Sequence, residues 1–533
     1  MGAADPRSAE EAPAAREAEL IAGLSQAANL PAEAGAGPVE VLTTHASLVF
    51  RTPQRVYKCK RAKDWGFLDY TTAARRAHFC AEEVRLNRRG APGVYLGVLP
   101  VWRDAQGFSL VRAGRPGAEA DWAVAMRTLP DSCSALSLLA AGALGAQELH
   151  AIAARIARFH RDAAPAPPAS AALAESVAEN FRQAAPFAGR LLDGGLLDAL
   201  APLHARWLAR HAELLASRPA CEGHGDLRLE HVYLLPEGPA LIDCIEFSER
   251  LRVGDPALDV AFLAMDLRRE GRPDLAEYLL ARWTWERDDQ QAYALLDGAM
   301  SYRALVRAKV ACLVAADPAT APETAARKAA EAGEFLRLAH ALLAARPVAP
   351  VTGSGRPLLL GIGGMIASGK STLADALGAA LGLPVLSADA LRKSLAGLAH
   401  GERGGPGLYA PEFTARVQGQ LLARADVVLD SGRSVLLDTT FGAAAWRARV
   451  AGHAAGRGAA FLLLECRVPE AVMRERLRAR TGGVSDAREE LADRFLATWE
   501  PFTGLPPAEH LVLDGTRPVA ELVAAVRTRL AER

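Results

Sequence analysis

The chain lacks the usual marks of export and of membrane residence. No apolar run approaches the roughly 20 residues that a membrane-spanning helix needs. Met1 to Leu20 is rich in Ala and Glu and has no apolar signal-peptide core. Gly2 is followed by Pro6, where a myristoylation motif requires Ser or Thr. Cysteine is scarce: seven residues, an odd number, scattered and without a C-x-x-C pair. That excludes a disulfide framework and predicts a reduced, cytoplasmic protein. An excess of one charge is also missing, because Lys+Arg and Asp+Glu both number 62. Balanced charge gives no reason to expect a nucleic-acid or membrane surface, although a local basic patch is compatible with it. Half of the 533 residues are hydrophobic. A chain that long exceeds one ordinary core, so two or more domains are expected.

The strongest signal present is Gly364-Met365-Ile366-Ala367-Ser368-Gly369-Lys370-Ser371-Thr372, which contains G-x-x-x-x-G-K-S. The apolar run Leu358–Leu360 before it reads as a buried strand, and Thr372–Leu381 after it has helical apolar spacing. Strand, glycine loop and helix is the setting of a phosphate-binding loop. Successive N–H groups turn toward one point, and the helix N-terminus adds partial positive charge. Lys370 can reach the outer phosphates, and the Ser371 hydroxyl can join a Mg²⁺ shell.

The stretch 346–357, rich in Pro, Gly and Ser, reads as a linker. After it, candidate strands at Leu358–Gly361, Val385–Ser387, Ser434–Asp438, Ala460–Glu465 and Leu511–Leu513 alternate with helical patterns. Alternation predicts a parallel sheet with ligands at the carboxyl ends of its strands. Asp389 and Asp438 both follow such strands. An acid there can be a turn or cap residue. Beside a phosphate loop, Asp389 can take an acceptor hydroxyl's proton, Arg392 can hold an acceptor group, and Asp438 can hold Mg²⁺ through water. Arg474, Arg476, Arg478 and Arg480 crowd the next helix, with Arg488 beyond it; they form either a solvated face or an arginine lid over the phosphates, for which Arg476 and Arg480 are the candidates. This half, residues 358–533, resembles the small P-loop kinases that include polynucleotide kinase, chloramphenicol phosphotransferase and the zeta-type toxins. The residues that carry the likeness are Gly364–Thr372, Ser387–Lys393, Tyr409–Glu412 and Ser434–Phe441. It implies an α/β P-loop NTPase fold, with Asp389 as catalytic base.

Before the linker, residues 1–37 read as a loose, Ala-rich lead-in. Strand-like pieces follow at Val39–Thr43, Ser47–Arg51, Arg55–Lys60, Tyr95–Trp102 and Ala123–Thr128, with a helix predicted over Thr71–Arg89. Helical periodicity covers Leu136–Ser217, broken by the Pro-rich stretch Ala163–Pro168; strand-like pieces return at Val232–Leu235 and Ala240–Cys244, and helical patterns then run to Ala345. His224-Gly225-Asp226-Leu227-Arg228-Leu229-Glu230-His231 lies shortly before Leu241-Ile242-Asp243. An acid on a short loop and a second acid after an apolar strand supply a base for a hydroxyl and a ligand for Mg²⁺. Two turn aspartates would give the same pattern.

Residues 38–345 resemble the aminoglycoside phosphotransferase family, in particular a subgroup fused to a P-loop kinase domain. Thr44–Phe50, Tyr57–Lys60, Gly66–Tyr70, Cys80–Asn87, His224–His231, Ile242–Phe247 and Asp255–Asp259 carry the likeness. It implies a bilobal, protein-kinase-like α+β fold with Asp226 as base and Asp243 as metal ligand. It also implies a strand lysine paired with Glu83 or Glu82. Lys58 and Lys60 share one strand face, and Val56, two residues before Lys58, suits a purine, which favours Lys58. Two departures stand out. The family's second metal ligand is Asn, here His231, and imidazole is a poorer partner for Mg²⁺. No G-x-G-x-x-G covers the phosphates, only Thr43–Ser47.

The leading expectation is a bifunctional phosphotransferase that moves the γ-phosphoryl group of ATP (or GTP), with Mg²⁺, onto small-molecule hydroxyls at two sites. A second reading keeps only the P-loop kinase as an enzyme and makes the N-terminal domain a degenerate binding or regulatory module. A third, an NTPase switch, leaves Asp389 and Arg392 without a task. Neither acceptor is named by the sequence.

Overall fold

The computed structural model describes residues 13–44, 46–64, 68–111, 117–344, 355–399, 402, 404–479 and 492–533. The chain forms two compact units: Met1–Leu144 with Arg158–Ala169 and Pro219–Asp259, and Gly145–Ala157 with Ser170–Arg218 and Val260–Arg533. The division does not fall at the Pro/Gly/Ser stretch, most of which (346–354) lies outside the described residues, as does the start of the lead-in (1–12).

The first unit is built on an antiparallel sheet. Its strands are β1 (Glu40–Thr43), β2 (Ser47–Arg51), β3 (Arg55–Lys60), β4 (Tyr95–Asp104), β5 (Gly107–Ser109) and β6 (Ala118–Arg127), in the order β1-β2-β3-β6-β4-β5. Period-2 alternation in β3 buries Tyr57 and Cys59 in a core with Leu48, Phe50 and Phe108. Lys58 and Lys60 therefore share the opposite face. Helix Ala73–Gly90 starts at Thr72, whose side chain accepts from the Arg75 N–H, and it packs Cys80 and Val84 against Tyr95 and Val124. The unit also holds β7 (Pro165–Ala166), β8 (Ala220–Glu222), β9 (Val232–Leu235), β10 (Gly238–Leu241) and β11 (Val253–Gly254). They form a β9–β10 hairpin and a β11-β8-β7 sheet, which flank the His224–His231 loop.

The expected loose lead-in is corrected from Pro13 onward. Helix Pro13–Leu24 places Leu20 and Leu24 in the core of the sheet, with Leu30 and Ala34 beside them. Arg16 pairs with the buried Asp121, and Glu17 pairs with Arg61 at 3.0 Å. High Ala content hid an amphipathic helix whose apolar residues are few but fully used.

The second unit contains long helices, among them Pro273–Arg287, Tyr293–Ala316 and Pro322–Ala344, and a five-stranded sheet. Its strands are β12 (Leu358–Gly363), β13 (Val385–Ser387), β14 (Val435–Asp438), β15 (Ala460–Arg467) and β16 (His510–Asp514). All pairs are parallel, in the order β13-β14-β12-β15-β16. Every residue of β12 is buried, which explains its unbroken apolar run. Leu358, Leu360 and Ile362 pack with Leu373, Leu377, Leu462 and Val526. The expected fold classes are both present: an α+β, kinase-like N-terminal region and a C-terminal α/β P-loop region with a parallel sheet.

Arg433, just before β14, is 1 % exposed and lies in this second unit. It donates to Glu277 (2.7 Å) and Asp297 (2.6 Å) on the helices Pro273–Arg287 and Tyr293–Ala316. Arg424 bonds Asp288 in the same region. A buried guanidinium with two carboxylates needs all three groups in place.

Candidate functional sites

At the end of β12 the chain turns on Gly364 (φ +139°) and Gly369 (φ +92°) into helix Lys370–Leu381. A Cβ on Gly364 would lie 2.4 Å from the Cys466 carbonyl oxygen, so only glycine fits. Ala367, also in the loop, holds φ +57°, a strained value for a residue with a Cβ. Lys370 Nζ donates to the Met365 carbonyl at 2.7 Å, folded across the loop it closes.

The parallel register sets Asp438 beside Ile362 on one side and Ser387 on the other. Asp438 is thereby brought against the loop, hydrogen-bonded by Ser371 and near Lys370. Burial pushes its carboxyl up, and Lys370 and Ser371 only partly offset this, leaving it at about 6. Asp389 opens helix Ala388–Leu395, capped by the Ser387 side chain. Arg392, one turn on, donates to Asp389 at 2.7 Å, to the Leu408 carbonyl at 3.1 Å, and stacks 4.7 Å from the Tyr409 ring centre. Arg476 donates to the carbonyls of Ala367 (3.4 Å) and Gly515 (2.9 Å). These residues line one cavity of about 840 Å³, with Thr372, Tyr409, Thr440 and Arg517. Of the proposed lid, Arg480 and Arg488 lie outside the described residues. Arg474 is engaged elsewhere, paired with Glu470 and Asp493.

In the first unit, Lys58 Nζ lies 2.7 Å from Asp243 Oδ1 and 2.9 Å from Glu83 Oε1. Glu83 is fully buried, whereas Glu82 turns outward to Arg85. Of the two lysines, Lys58 is thus the one beside Asp243. Asp243 itself sits at φ +65°, with its N–H donated to the Tyr95 hydroxyl at 3.1 Å. Desolvation pushes the Asp243 carboxyl up, and Lys58 and His231 more than reverse it, holding it well below the usual carboxylate range. Its side chain stays 42 % exposed, so these pairs are partly screened.

His224 fixes the loop that carries Asp226. Its Nε2 bonds the Ile242 carbonyl at 2.8 Å, which can only accept, and its Nδ1 accepts from the Asp226 N–H at 3.3 Å. The ring is therefore a neutral Nε2–H tautomer, and burial holds its pKa down at about 4. Gly225 adopts φ +84°. His231 Nδ1 bonds the Asp226 carbonyl at 2.8 Å, which turns Nε2 toward Asp243 Oδ2 at 3.6 Å. The loop 43–47 that replaces a glycine-rich flap is described apart from His45.

Sequence reasoning missed the anchor below this loop. Asp259 accepts from the N–H groups of His224 (2.7 Å) and Gly225 (2.9 Å), and pairs with His160 Nε2 at 3.1 Å. In the sequence Asp255–Asp259 is only a pattern; a buried carboxylate facing N–H groups is visible only once the chain is folded. Tyr70 and Glu246, which cluster with Lys60, were missed as well, and Lys60 was weighed only as the alternative to Lys58.

The comparisons with known proteins point to two modules. Residues 130–296 match the family described as the phosphotransferase enzyme family, and residues 359–502 match the AAA domain family. Uncharacterized proteins of Mycobacterium tuberculosis and Mycobacterium bovis are 32 % identical over 472 residues, covering 86 % of this chain and 90 % of theirs. The chain belongs to the family of these mycobacterial proteins. The likeness runs along nearly the whole length of the relatives. The two domains of this chain support a kinase-type enzyme of ATP-dependent phosphotransfer. Among solved structures, a GDP complex of aminoglycoside 2'-phosphotransferase-IIIa covers 62 % of this chain and 99 % of its own, at 13 % identity and a TM-score of 0.40. A gluconokinase from Sinorhizobium meliloti covers 33 % and 94 %, at 24 % identity and a TM-score of 0.26. The first family match begins at residue 130, after the sheet, so Lys58 and Glu83 rest on their geometry. No helix among the described residues is long and apolar enough to cross a membrane.

Proposed function

We propose that this family member is a bifunctional phosphotransferase, with catalytic modules at 38–345 and 358–533. Each moves the γ-phosphoryl group of ATP (or GTP) to a hydroxyl of a small molecule. One observation carries the reading: each site holds two acids on neighbouring segments with a lysine beside one of them. In the first, Asp226 and Asp243 are bridged by His231, and Lys58 lies 2.7 Å from Asp243. In the second, Asp389 lies just after β13 and Asp438 ends the adjacent β14, around Lys370.

The roles follow from position. Asp226 and Asp389 take the acceptor's proton, and the Asp389–Arg392 pair orients the acceptor. Lys58, steadied by Glu83, and Lys370, with the N–H groups of 364–372, bind phosphate oxygens. Arg476, beside the loop, stabilises charge on the transferring group.

Ser371 and Asp438 fit Mg²⁺, being two hard oxygen donors already in contact. Asp243 fits equally. His231 fits less well, because its free atom is a nitrogen. With so few protein donors at each site, nucleotide and water would supply the rest of the shell. When bound, Mg²⁺ neutralises charge on the phosphates.

His231 also favours a second reading, in which the N-terminal module binds nucleotide without turnover. The deciding experiment is an ATP-consumption screen of the full chain against sugars, aminoglycosides, nucleosides and oligonucleotides. It is run on wild type, Asp226→Ala and Lys370→Ala. Two acceptors, each lost in a different variant, support bifunctionality. Acceptors lost only in Lys370→Ala leave the first module as a binding unit.

A further inference from the structure

Asp288 ends helix Pro273–Arg287 at φ +53° and ψ +38°, the left-handed conformation in which a helix cap is ordinarily glycine. Aspartate bears that conformation better than most residues, but at a cost that glycine avoids. The next residue, Asp289, is held by Arg218 through two bonds of 2.7 Å, which fixes the turn. The Asp288 carboxylate is thereby presented to two helices of the second module. It accepts from the Ser394 hydroxyl on helix Ala388–Leu395. It also pairs with Arg424 on helix Pro411–Asp430, whose Nη2 donates to Oδ2 at 3.0 Å. Arg424 Nη1 donates in addition to Gln290 Oε1 at 2.8 Å, on the same turn as Asp288.

Those two helices carry the acceptor side of the C-terminal cavity. Asp389 and Arg392 lie on the first; Tyr409 precedes the second, and Thr414 lies in its first turn. Ser394 is two residues beyond Arg392, roughly 200° round the helix, so it faces away from the cavity that Asp389 and Arg392 line. The acceptor helix is thus gripped from behind. The helices that flank Asp288 also hold Arg433, through Glu277 and Asp297, just before the strand that ends on Asp438. One helix pair of the first module is therefore tied both to the sheet on the phosphate side and to the helices on the acceptor side.

We propose that Asp288, a residue of the first module, is a positioning residue for the acceptor site of the second. It holds helix Ala388–Leu395, and with it Asp389 and Arg392, in place relative to the phosphate loop. This rests on the second module being a phosphotransferase. It goes beyond that reading by making the acceptor site depend on a residue outside the module. A helix already in place binds acceptor without first being ordered. A loosened helix weakens binding by the fraction of time it is out of place. The loss falls on the acceptor's KM, while kcat and the nucleotide, held by 364–372, are spared.

The test uses the full chain as wild type, Asp288→Gly, Asp288→Asn, Ser394→Ala and Arg424→Met. Glycine keeps the left-handed turn and removes the carboxylate, so its effect is that of the lost contacts and not of backbone strain. Two things are measured: hydrogen exchange of residues 388–395, and the kinetics of the acceptor whose phosphorylation is lost in Lys370→Ala. Asp288→Gly should speed exchange of 388–395 by about ten-fold. It should raise the acceptor's KM by a similar factor, with kcat and the KM for ATP within about two-fold of wild type. Asp288→Asn still accepts from Ser394 but offers Arg424 no charge, and should fall between. Arg424→Met should resemble Asp288→Gly, and the two combined should do little more than either, because they break the same contact. Should Asp288→Gly not fold, Ser394→Ala and Arg424→Met carry the expectation from the other side. Unchanged exchange in 388–395, an equal rise in helix Lys370–Leu381, or an unchanged acceptor KM overturns the proposal. If no acceptor is lost in Lys370→Ala, the kinase reading of the second module fails and the acceptor role falls with it, while exchange shows separately whether Asp288 holds the helix.

Discussion

Lys370 is the one side-chain cation within 364–372, and it already lies across the loop. Lys370→Ala should lower turnover at the C-terminal site by about 10²–10³, the usual effect of losing one charge-stabilising donor. Retained turnover with the C-terminal acceptor would show the loop to be misassigned. Asp226→Ala should reduce turnover at the first site by about 10²–10⁴ with little change in Mg·ATP affinity, since a base meets the acceptor. Asp243→Ala should instead weaken Mg·ATP binding, which titration with a fluorescent nucleotide separates from the rate effect.

A fourth residue has no tie to catalysis. His204 is buried between Phe181 and Trp207, and among the described residues neither ring nitrogen has a hydrogen-bond partner. Burial holds its pKa at about 4, against 6.5 ordinarily. Between those values the unfolded chain takes up a proton that the folded chain refuses. Stability from this residue is therefore complete above pH 6.5 and is lost as pH falls toward 4, by up to about 3 kcal/mol. Urea midpoints at about pH 7 and pH 5, either side of the ordinary histidine value, should differ less in His204→Leu than in wild type. An unchanged difference would exclude His204 as the source.

At the scale of elements, helix Pro13–Leu24 behaves as part of the first unit's core. Leu24 is fully buried, so Leu24→Ala should destabilise that unit by about 2–5 kcal/mol, as large-to-small core changes do. Thermal unfolding checks this; a change no larger than that of an exposed-residue control would return the segment to a dispensable lead-in. β3 shows why an element outweighs a motif. Its alternation assigns Tyr57 and Cys59 to the core and both lysines to the opposite face, toward Glu83.

At the scale of the molecule, the stretch 346–357 remains the place where composition invites cleavage. Arg433, with Glu277 and Asp297, changes the consequence. After cleavage between Pro347 and Arg356 the two pieces should stay together, since parting them strands the buried Arg433 and Glu277 and the partly buried Asp297. Size-exclusion chromatography of cut protein should show one peak, and Arg433→Ala should split it in two. Separation of the cut wild-type pieces would show that these ion pairs do not bind them.

What the sequence determined by itself was local. The glycine loop, the alternating β/α order and the strand bounds Ser47–Arg51, Arg55–Lys60 and Val385–Ser387 follow from backbone geometry and side-chain period, which neighbouring residues encode. Asp226, Asp243, Asp389 and Asp438 were legible because they end strands or sit on short loops. Tertiary structure alone decided that Glu83 rather than Glu82 turns inward, that Asp259 holds the His224–Asp226 loop, and that the Ala-rich start packs into the core. Each depends on residues tens to hundreds of positions apart, and the energy of a buried charge is set by partners that no local pattern specifies.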